Sequence, residues 1–568
     1  MDTIIFLILR RMRAPLLTLI VVYALAMAVL ALIPAQDEAG RPATMSLFHA
    51  FYFVSYMSTT IGFGELPNAF TDAQRLWVSL SVFSTVAVWI YAIGKLIALL
   101  QDNAFQRAIL ERRFRNRVRR MHAPFYLVCG YGQTGGALVR AFTDRHRHAV
   151  VVDIDPDRIN LLQLDNHREY VPALCADARS PSTLEAAGLK HPMCQGVVAL
   201  TNVNEANLKI AIAAKLLRPK VKVICRADSH EIEANMASFG TDHIYDPFDI
   251  FALYIAVAIQ APCLTLLFNW LSGAGDEALT EPFYPPAQGH WIICGYGRFG
   301  KAMYKYLKEQ GLTITVIEAA PHKTGIPAEG VVHGRGTEAV TLEQADIGRA
   351  VGLVAGTDHD ADNLSIVMTA LTLKPDLFVI ARENHLDNQE LFDRVGAHAI
   401  MHPSAIIANR IRVRLVNPLL ADFSNLARFQ EETWACELVS RIVALVDERM
   451  PYVWEFGIDA KQTPALCEAE DRGLSVTLET LLRDPRERAN RLPALPLLLV
   501  RNEEFILLPG PEERLGEGDR LLFCGREEAR WRMDWLLRNI HALRYVATGQ
   551  SQREGGVWRW IAAWKRSR

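Results

Sequence analysis

Ser58-Thr59-Thr60-Ile61-Gly62-Phe63-Gly64-Glu65 lies in a semi-polar stretch, residues 46–70, that separates two long apolar runs. Glycine enters the left-handed region of backbone space without steric cost, so glycines alternating with larger residues let successive carbonyls point the same way. Four such loops brought together replace the water shell of a cation with rings of oxygen, to which the Thr60 hydroxyl adds one more. A Gly-x-Gly pair is common in ordinary turns, so the surroundings decide. Residues 46–57 are aromatic and helix-compatible, and a half-helix there aims its negative C-terminal end at the cation path. Irregular backbone at membrane depth is tolerated only inside protein or along a cavity.

The flanking runs are long enough to be membrane spans. Residues 14–34 carry no charge, and residues 76–100 are broken only by Lys95, whose ammonium can snorkel to headgroups from the end of a helix. Arg10, Arg11 and Arg13 precede the first run, and Arg107, Arg112, Arg113, Arg115, Arg117, Arg119 and Arg120 follow the second. By the positive-inside rule both ends face the cytoplasm. A cleaved signal peptide is the rival reading of the first run, disfavoured by its length and the lack of a small-residue cleavage pattern.

TTIGFGE in this setting resembles the TTVGYGD signature of two-transmembrane potassium channels. The resemblance implies a tetramer in a bilayer, with a pore domain over residues 1–100 made of a first span (14–34), pore helix (46–57), filter (58–65) and second span (76–100). It assigns the selectivity filter to the carbonyls of Thr60, Ile61, Gly62 and Phe63 with Gly64 closing the segment, and potassium ions to the pore. Phe63 replaces the usual tyrosine and Glu65 the usual aspartate, while Tyr56 stands where the family often has a pore-helix acid; Tyr56 donating to Glu65 is the expected filter support. The second span lacks the family's hinge glycine at Phe83-Ser84-Thr85-Val86. Gly94 lies nearer the cytoplasmic end, and Leu96, Ile97, Leu99 and Leu100 offer an apolar constriction, with Leu96, Ile97 and Leu100 as gate candidates.

A linker, residues 101–122, leads into an internal repeat. Tyr126-Leu-Val-Cys129 precedes Gly130-Tyr131-Gly132-Gln133-Thr134-Gly135, and Trp291-Ile-Ile-Cys294 precedes Gly295-Tyr296-Gly297-Arg298-Phe299-Gly300; each is followed by a helical pattern. A strand, GxGxxG, a helix and an acid about 20 residues on make the dinucleotide-binding fingerprint, and the acids here are Asp153 and Glu318. An acid at that point accepts from a ribose hydroxyl and favours NAD or an adenine nucleotide over NADP. Further correspondences pair Asp177 with Arg335, Arg226 with Arg382, and Thr201 through Asn207 with Thr357 through Asn363. Each unit ends in an apolar helical segment, residues 249–272 and 404–423.

The repeat resembles the RCK, or TrkA-N-like, domains that regulate prokaryotic potassium channels and transporters, and the tandem order resembles multi-ligand-gated channels of the GsuK type. The fold class implied is a two-span helical pore plus two α/β Rossmann-like domains: a first RCK domain over 123–288, a second N-terminal lobe with crossover helices over 289–430, an α+β C-terminal lobe over 431–545 and a tail over 546–568. The family resemblance further implies regulation by NAD or by ADP- or ATP-type nucleotides, with calcium as a further divalent modulator, in a bacterial inner membrane. Expected nucleotide-binding residues are Gly130, Gly132, Gln133, Thr134, Gly135, Asp153, Asp177 and Arg226 in the first unit, and Gly295, Gly297, Arg298, Phe299, Gly300, Glu318, Arg335 and Arg382 in the second. Arg335 in place of Asp177 favours an anionic group in the second cleft.

Composition sets outer bounds. At 568 residues the chain needs several cores, and its net charge of −2 gives no long-range pull toward nucleic acid. The nine cysteines form no CxxC pair or zinc-spaced cluster and read as buried, reduced thiols. An NAD-dependent dehydrogenase is the enzyme-class rival, but no substrate domain with a placed general acid or base is evident, so no catalysis is expected. A regulatory subunit of a potassium transporter and a less selective cation channel are the remaining rivals.

Overall fold

A computed structural model describes residues 3–36, 42–64, 69–273, 283–446 and 449–550. It divides into two compact units, Met1–Met121 and His122–Arg568.

In the first unit the two apolar runs are helices, Thr3–Leu32 and Asp72–Gln101. Within them Arg10–Leu32 and Asp72–Gln101 are long and apolar enough to cross a membrane, and at about 1.5 Å per residue each exceeds the ~30 Å of a hydrocarbon core. Between them, Leu47–Ser58 forms the short helix expected at 46–57, its first turn capped by Ser46 Oγ, which accepts from His49 N at 3.3 Å. A small core of Ala26, Leu30, Met45, Ala50, Phe53, Val54 and Tyr56 joins the first long helix to the short one, and the second long helix packs on it through Trp77 and Val78, with Trp77 Nε1 donating to Ala26 O at 3.2 Å. A capping box of Thr71 and Gln74 starts the second long helix. Asp102 ends it and begins the next: its Oδ1 accepts from Ala104 N and Phe105 N at 2.9 and 3.1 Å, while Oδ2 pairs with Arg11. The arginine-rich linker is therefore itself a helix, Asn103–Arg119.

The second unit contains two six-stranded parallel sheets built alike. In spatial order the first runs Ala173–Cys175, His148–Asp153, Phe125–Cys129, Cys194–Ala199, Lys222–Arg226, His243–Tyr245. The second runs Val331–His333, Thr313–Glu318, His290–Cys294, Ala350–Ala355, Phe378–Arg382, Ala399–Met401. In sequence order each reads 3-2-1-4-5-6, the doubly wound dinucleotide-binding topology. A parallel sheet buries both faces, which is why its strands are almost continuously apolar.

Each sheet borrows part of its cover from the other. Helix Pro247–Gln260, which follows the first sheet in sequence, places Phe248, Phe251, Ala252 and Ile255 in the core of the second sheet, with Trp291, Ile293, Phe299 and Met303. Reciprocally, Pro403–Val416 places Ile407, Ala408, Ile411 and Leu415 in the core of the first, with Tyr126, Val128, Leu138 and Phe142. At about 1.5–3 kcal/mol per fully buried large side chain, an upper bound, these exchanged helices are a major part of what holds the two Rossmann sheets together.

The apolar segments expected at 249–272 and 404–423 are each two helices rather than one. Pro262 and Pro418 stand at the first position of Pro262–Ser272 and Pro418–Ala427. A proline cannot continue the preceding helix and holds the residue before it out of the α region. Ala261 (φ −142°, ψ 75°) and Asn417 (φ −129°, ψ 71°) adopt nearly the same breaking conformation, so the internal repeat extends to its kinks.

The C-terminal lobe is a four-stranded antiparallel sheet, Tyr452–Gly457, Arg520–Gly525, Ala494–Arg501, Glu504–Leu507 in spatial order, with helices on both faces. Leu522 and Cys524 face a core formed with Pro262–Ser272, Pro418–Ala427 and Glu432–Val446, whereas Leu521 and Phe523 face Met533 and Leu537. The lobe thus clasps Pro262–Ser272 and Pro418–Ala427, the second docking helix of each Rossmann repeat. Against the expectation of buried, reduced thiols throughout, Cys263 and Cys436 are joined as a disulfide between helices Pro262–Ser272 and Glu432–Val446, both half-buried, and Cys175 is exposed.

Ile411→Ala, which empties part of the exchanged core, is expected to cost about 2–5 kcal/mol. Leu216→Ala, at a side chain 78% exposed, is expected to change stability by less than ~0.5 kcal/mol. Urea unfolding of the two variants followed by tryptophan fluorescence checks the contrast.

Candidate functional sites in the loop and the two clefts

The loop after the short helix has the backbone its glycines allow. Thr60, Gly62 and Gly64 have φ of +62°, +65° and +73°, so left-handed residues alternate with Ile61 and Phe63. Within one chain an added Cβ at Gly62 or Gly64 meets nothing within 4 Å, so the need for glycine is conformational rather than steric. Thr60 holds the same conformation without that freedom, at a cost of about 1–2 kcal/mol.

The loop hangs from the helix end. Thr60 N donates to Met57 O at 3.0 Å, Ile61 N and Gly62 N donate to Tyr56 O at 3.0 and 3.3 Å, and Thr59 Oγ1 donates to Ser55 O at 2.9 Å. These bonds satisfy carbonyls that a helix C-terminus otherwise leaves unpaired. Tyr56 is buried with its ring edge-on to Phe63 at 6.1 Å, an aromatic contact in place of a hydroxyl bond from residue 63. Glu65 lies outside the described residues. In the second long helix Leu96, Ile97 and Leu100 are exposed, whereas Leu99 packs on Met12 and Phe105.

In the first cleft Gly130 has φ +103°, and a Cβ there meets the Leu200 carbonyl carbon at 2.9 Å. A Cβ on Gly135 would lie 2.0 Å from Gly130 O. Gly132 caps helix Gln133–Thr143 with no side-chain bond, so the first amides of that helix are free to meet an anion. The second cleft repeats this: Gly295 has φ +96°, a Cβ on Gly300 would lie 1.9 Å from Gly295 O, and Gly297 caps Arg298–Glu309.

The two acids are anchored identically. Asp153 Oδ2 accepts from Tyr131 N at 2.5 Å and Oδ1 from Asp155 N at 2.8 Å; Glu318 Oε2 accepts from Tyr296 N at 2.6 Å and Oε1 from Ala320 N at 2.7 Å. The backbone of each glycine turn thereby fixes a carboxylate at the end of the second strand, where a ribose would sit. Asn207 and Asn363, read from the sequence only as repeat markers, tie strand ends: their Nδ2 atoms donate to Arg226 O and Arg382 O at 3.1 and 2.8 Å.

Other expected residues diverge between the clefts. Asp177 is held in a fork by Arg179, at 2.8–3.0 Å, which keeps its carboxyl below the usual range, while Arg335 is exposed. Gln133 lies beside Ser404 of the docked helix, Oε1 accepting at 3.4 Å, and the Thr134 side chain is buried. Phe299 is wholly buried in the second core, which leaves only its backbone for a ligand. Arg226 donates to Asp228 at 2.8 Å, and Arg382 to Asp358 at 2.7 Å, burial pulling the Arg382 pKa down.

Two residues with no sequence signal enter the clefts. Arg158 lies 3.7 Å from Asp153 Oδ2, and its guanidinium borders Gly132 in the first cleft. Asp228 of the first unit accepts from Arg298 of the second glycine loop at 2.9 Å. Arg298 and Arg382 both lie over the Phe248 ring, at 5.3 and 4.8 Å, so an exchanged helix carries part of the second cleft's floor. Next to it Glu383 is fully buried 2.7 Å from His402 Nδ1; burial, then Asp360 and Asp393, push its carboxyl up to about 7, and burial lowers His402.

The TrkA-N domain family matches this chain twice, at residues 126–247 and 291–403, and an ion-channel family matches residues 16–102. The chain is similar to probable potassium channel protein 2 of Methanocaldococcus jannaschii, 25% identical over 42% of this chain and 64% of that protein. It is also similar to the Trk system potassium uptake protein TrkA homolog of Methanothermobacter thermautotrophicus, 30% identical over 26% of this chain and 70% of that protein. It spans 27%, 64% and 42% of the length of the first three curated relatives it matches. Among solved structures it is similar to the GsuK channel, 17% identical with a TM-score of 0.47, over 94% of this chain and 99% of that one.

Gly135→Ala is expected to disrupt the first unit, since its Cβ collides with backbone, whereas Gly297→Ala meets open space and is tolerated; circular dichroism melts separate the two. Glu383 supplies a pH prediction. Its folded value lies above that of an unfolded glutamate, so the folded state retains a proton that the unfolded state releases, and stability falls as pH rises from about 4.5 through 7. Glu383→Gln cannot ionise and is expected to flatten that fall, gaining about 1–3 kcal/mol at pH 8. Urea midpoints across this range test it, and an unchanged profile refutes it.

Proposed function

This chain belongs to the TrkA-N family, and from that membership and its ion-channel domain we propose that it is one subunit of a homotetrameric potassium channel gated by nucleotides. The observation that carries the reading is the loop at Thr60–Gly64, whose left-handed residues alternate and whose amides hang from the end of a short helix between two membrane-length helices. Alternation of this kind aims successive carbonyls to one side, and four copies supply the oxygen rings that substitute for the hydration shell of an ion. The helix from which the loop hangs points its negative end the same way. The chain sits in a bacterial inner membrane with both termini cytoplasmic, as the arginines flanking the spans favour.

Gating rests on the clefts. The free amides at the start of Gln133–Thr143 and the anchored Asp153 suit the pyrophosphate and ribose of NAD, ADP or ATP, with Arg158 at hand for phosphate charge. The same helix is the one on which Pro403–Val416 docks, so a ligand that prefers one arrangement of this helix biases the packing of the other unit. That is a population shift driven by differential affinity and needs no chemistry on the ligand. In the second cleft Arg298, Arg335 and Arg382 favour a more anionic ligand. A divalent cation such as calcium is a further candidate modulator, and Leu96, Ile97 and Leu100, exposed on a single chain, are candidates for the closing constriction.

Recordings from the purified channel in planar bilayers test this. Reversal potentials under opposed potassium and sodium gradients are expected to follow potassium, and Gly62→Ala to abolish the current; equal permeability replaces the reading with the less selective cation channel. NAD or ADP on the cytoplasmic side is expected to change open probability. Asp153→Ala, which removes a charged hydrogen-bond acceptor worth about 1.5–3 kcal/mol, is expected to weaken that ligand about 10- to 100-fold. Currents indifferent to every nucleotide and to Asp153→Ala sink the gating part alone.

A further inference from the structure

Cys263 and Cys436 come from helices 173 residues apart in sequence, and their Cα atoms lie 5.1 Å apart. Cys263 is the second residue of Pro262–Ser272, the second docking helix of the first unit; Cys436 lies in the first turns of Glu432–Val446, the helix that opens the C-terminal lobe. Glu432, one turn before Cys436 on the same face, accepts from Cys263 N at 2.9 Å through Oε1 and so also caps the first helix. We propose that this pair is an oxidative modification site, cycling between dithiol and disulfide by exchange with a low-molecular-weight disulfide, and that closing the bond fixes the first unit's docking helix to the C-terminal lobe.

Three observations favour a reversible bond over a permanent brace. First, both cysteines are only half-buried and lie within the first five residues of their helices, in contrast to the fully buried core cysteines. Burial pushes the thiols of Cys225, Cys294 and Cys524 up to about 12, which leaves almost no nucleophilic thiolate there. Second, the two helices do not need the bond to stay together. Leu264, Leu267 and Leu271 of one share a core with Ala435, Leu438 and Ile442 of the other, so opening the bridge leaves the apolar contact in place. Third, Glu432 Oε2 is buried with no hydrogen-bond partner, beside two sulfurs that carry no proton while bonded. Reduction places thiol protons in this cluster, whose sulfur and carboxylate atoms all lie within 4.8 Å of one another, and offers that oxygen a donor.

The exchange balances. One thiolate attacks a sulfur of the external disulfide, forming a mixed disulfide and expelling one external thiolate. The second protein thiolate attacks the bonded protein sulfur, closing Cys263–Cys436 and expelling the other. Two protein thiols are oxidised, one external disulfide is reduced to two thiols, and reduction runs the same steps backward.

The test uses the full-length protein in detergent, equilibrated with glutathione mixtures from wholly reduced to wholly oxidised, quenched with acid and mapped by differential alkylation and mass spectrometry. The expected result is a cross-linked peptide pair holding Cys263 and Cys436 that dominates in oxidised glutathione and vanishes in reduced glutathione. Hydrogen exchange in residues 264–272 and 436–446 is expected to slow at least about threefold in the oxidised form. Cys263→Ser/Cys436→Ser is expected to keep the wild-type assembly by size exclusion and lose the oxidation-dependent slowing. A bridge that survives excess reduced glutathione, one that never forms, or an exchange difference that persists in the double variant each overturns the proposal. None of these readouts involves ion flux or nucleotide, so failure of the channel reading leaves them interpretable.

Discussion

The cytoplasmic part depends on a reciprocal burial. Each parallel sheet has one face whose apolar side chains its own helices leave partly uncovered, and the missing cover comes from the other unit. Phe248, Phe251 and Ile255 cross in one direction, and Ile407, Ile411 and Leu415 in the other. Neither unit could expose these side chains to water without loss, because an apolar patch of several large residues is unstable on a soluble surface. The two Rossmann units are therefore one folding problem despite their separate sheets. The C-terminal lobe adds to the constraint by packing on the second docking helix of both.

That exchange also makes the clefts dependent on each other. The docked helix Pro403–Val416 lies against Gln133–Thr143, whose first amides face the first cleft, and Phe248 on the opposite docked helix lies under Arg298 and Arg382 of the second. Asp228, at the end of the first sheet, holds Arg226 and Arg298 together. A buried carboxylate between two guanidiniums is well compensated, and taking Asp228 away leaves the mostly buried Arg226 without that acid. An anion that recruits Arg298 in the second cleft must compete with Asp228; in the first cleft Gln133 holds the equivalent place, and the nearby cation, Arg158, is shared with Asp153 and Asp155 at 3.7 and 3.4 Å.

What the sequence reveals follows from how local each signal is. The two apolar helices, the short helix between them and the left-handed loop are each set by a contiguous run, and the helix ends lie within four residues of the ends of those runs, save that the first helix begins earlier, at Thr3. The doubly wound sheets are legible because strand, glycine turn and acid recur at fixed spacing. The docking segments are legible as apolar but not as broken, although Pro262 and Pro418 carry the break in plain sight. Phe299 occupies a fingerprint position, yet only the exchanged partner Phe248 shows that its ring belongs to the core. Asp228, Arg158 and the Cys263–Cys436 pair have no local pattern, because their meaning arises from elements brought together by the fold.

The asymmetry between the clefts is then a consequence of chemistry laid over a duplicated backbone. The turns, acids and clamping asparagines are equivalent in position and in bonding, with distances that agree within about 0.3 Å. The differences are in charge: Asp177 against Arg335, Gln133 against Arg298, and Arg158 beside the glycine turn of the first cleft. The two copies share what the fold requires, which is the geometry of the turn, and differ in the charges around it. On the proposed gating, two clefts that share a buried interface but differ in charge would answer to different anions while acting on the same pair of exchanged helices.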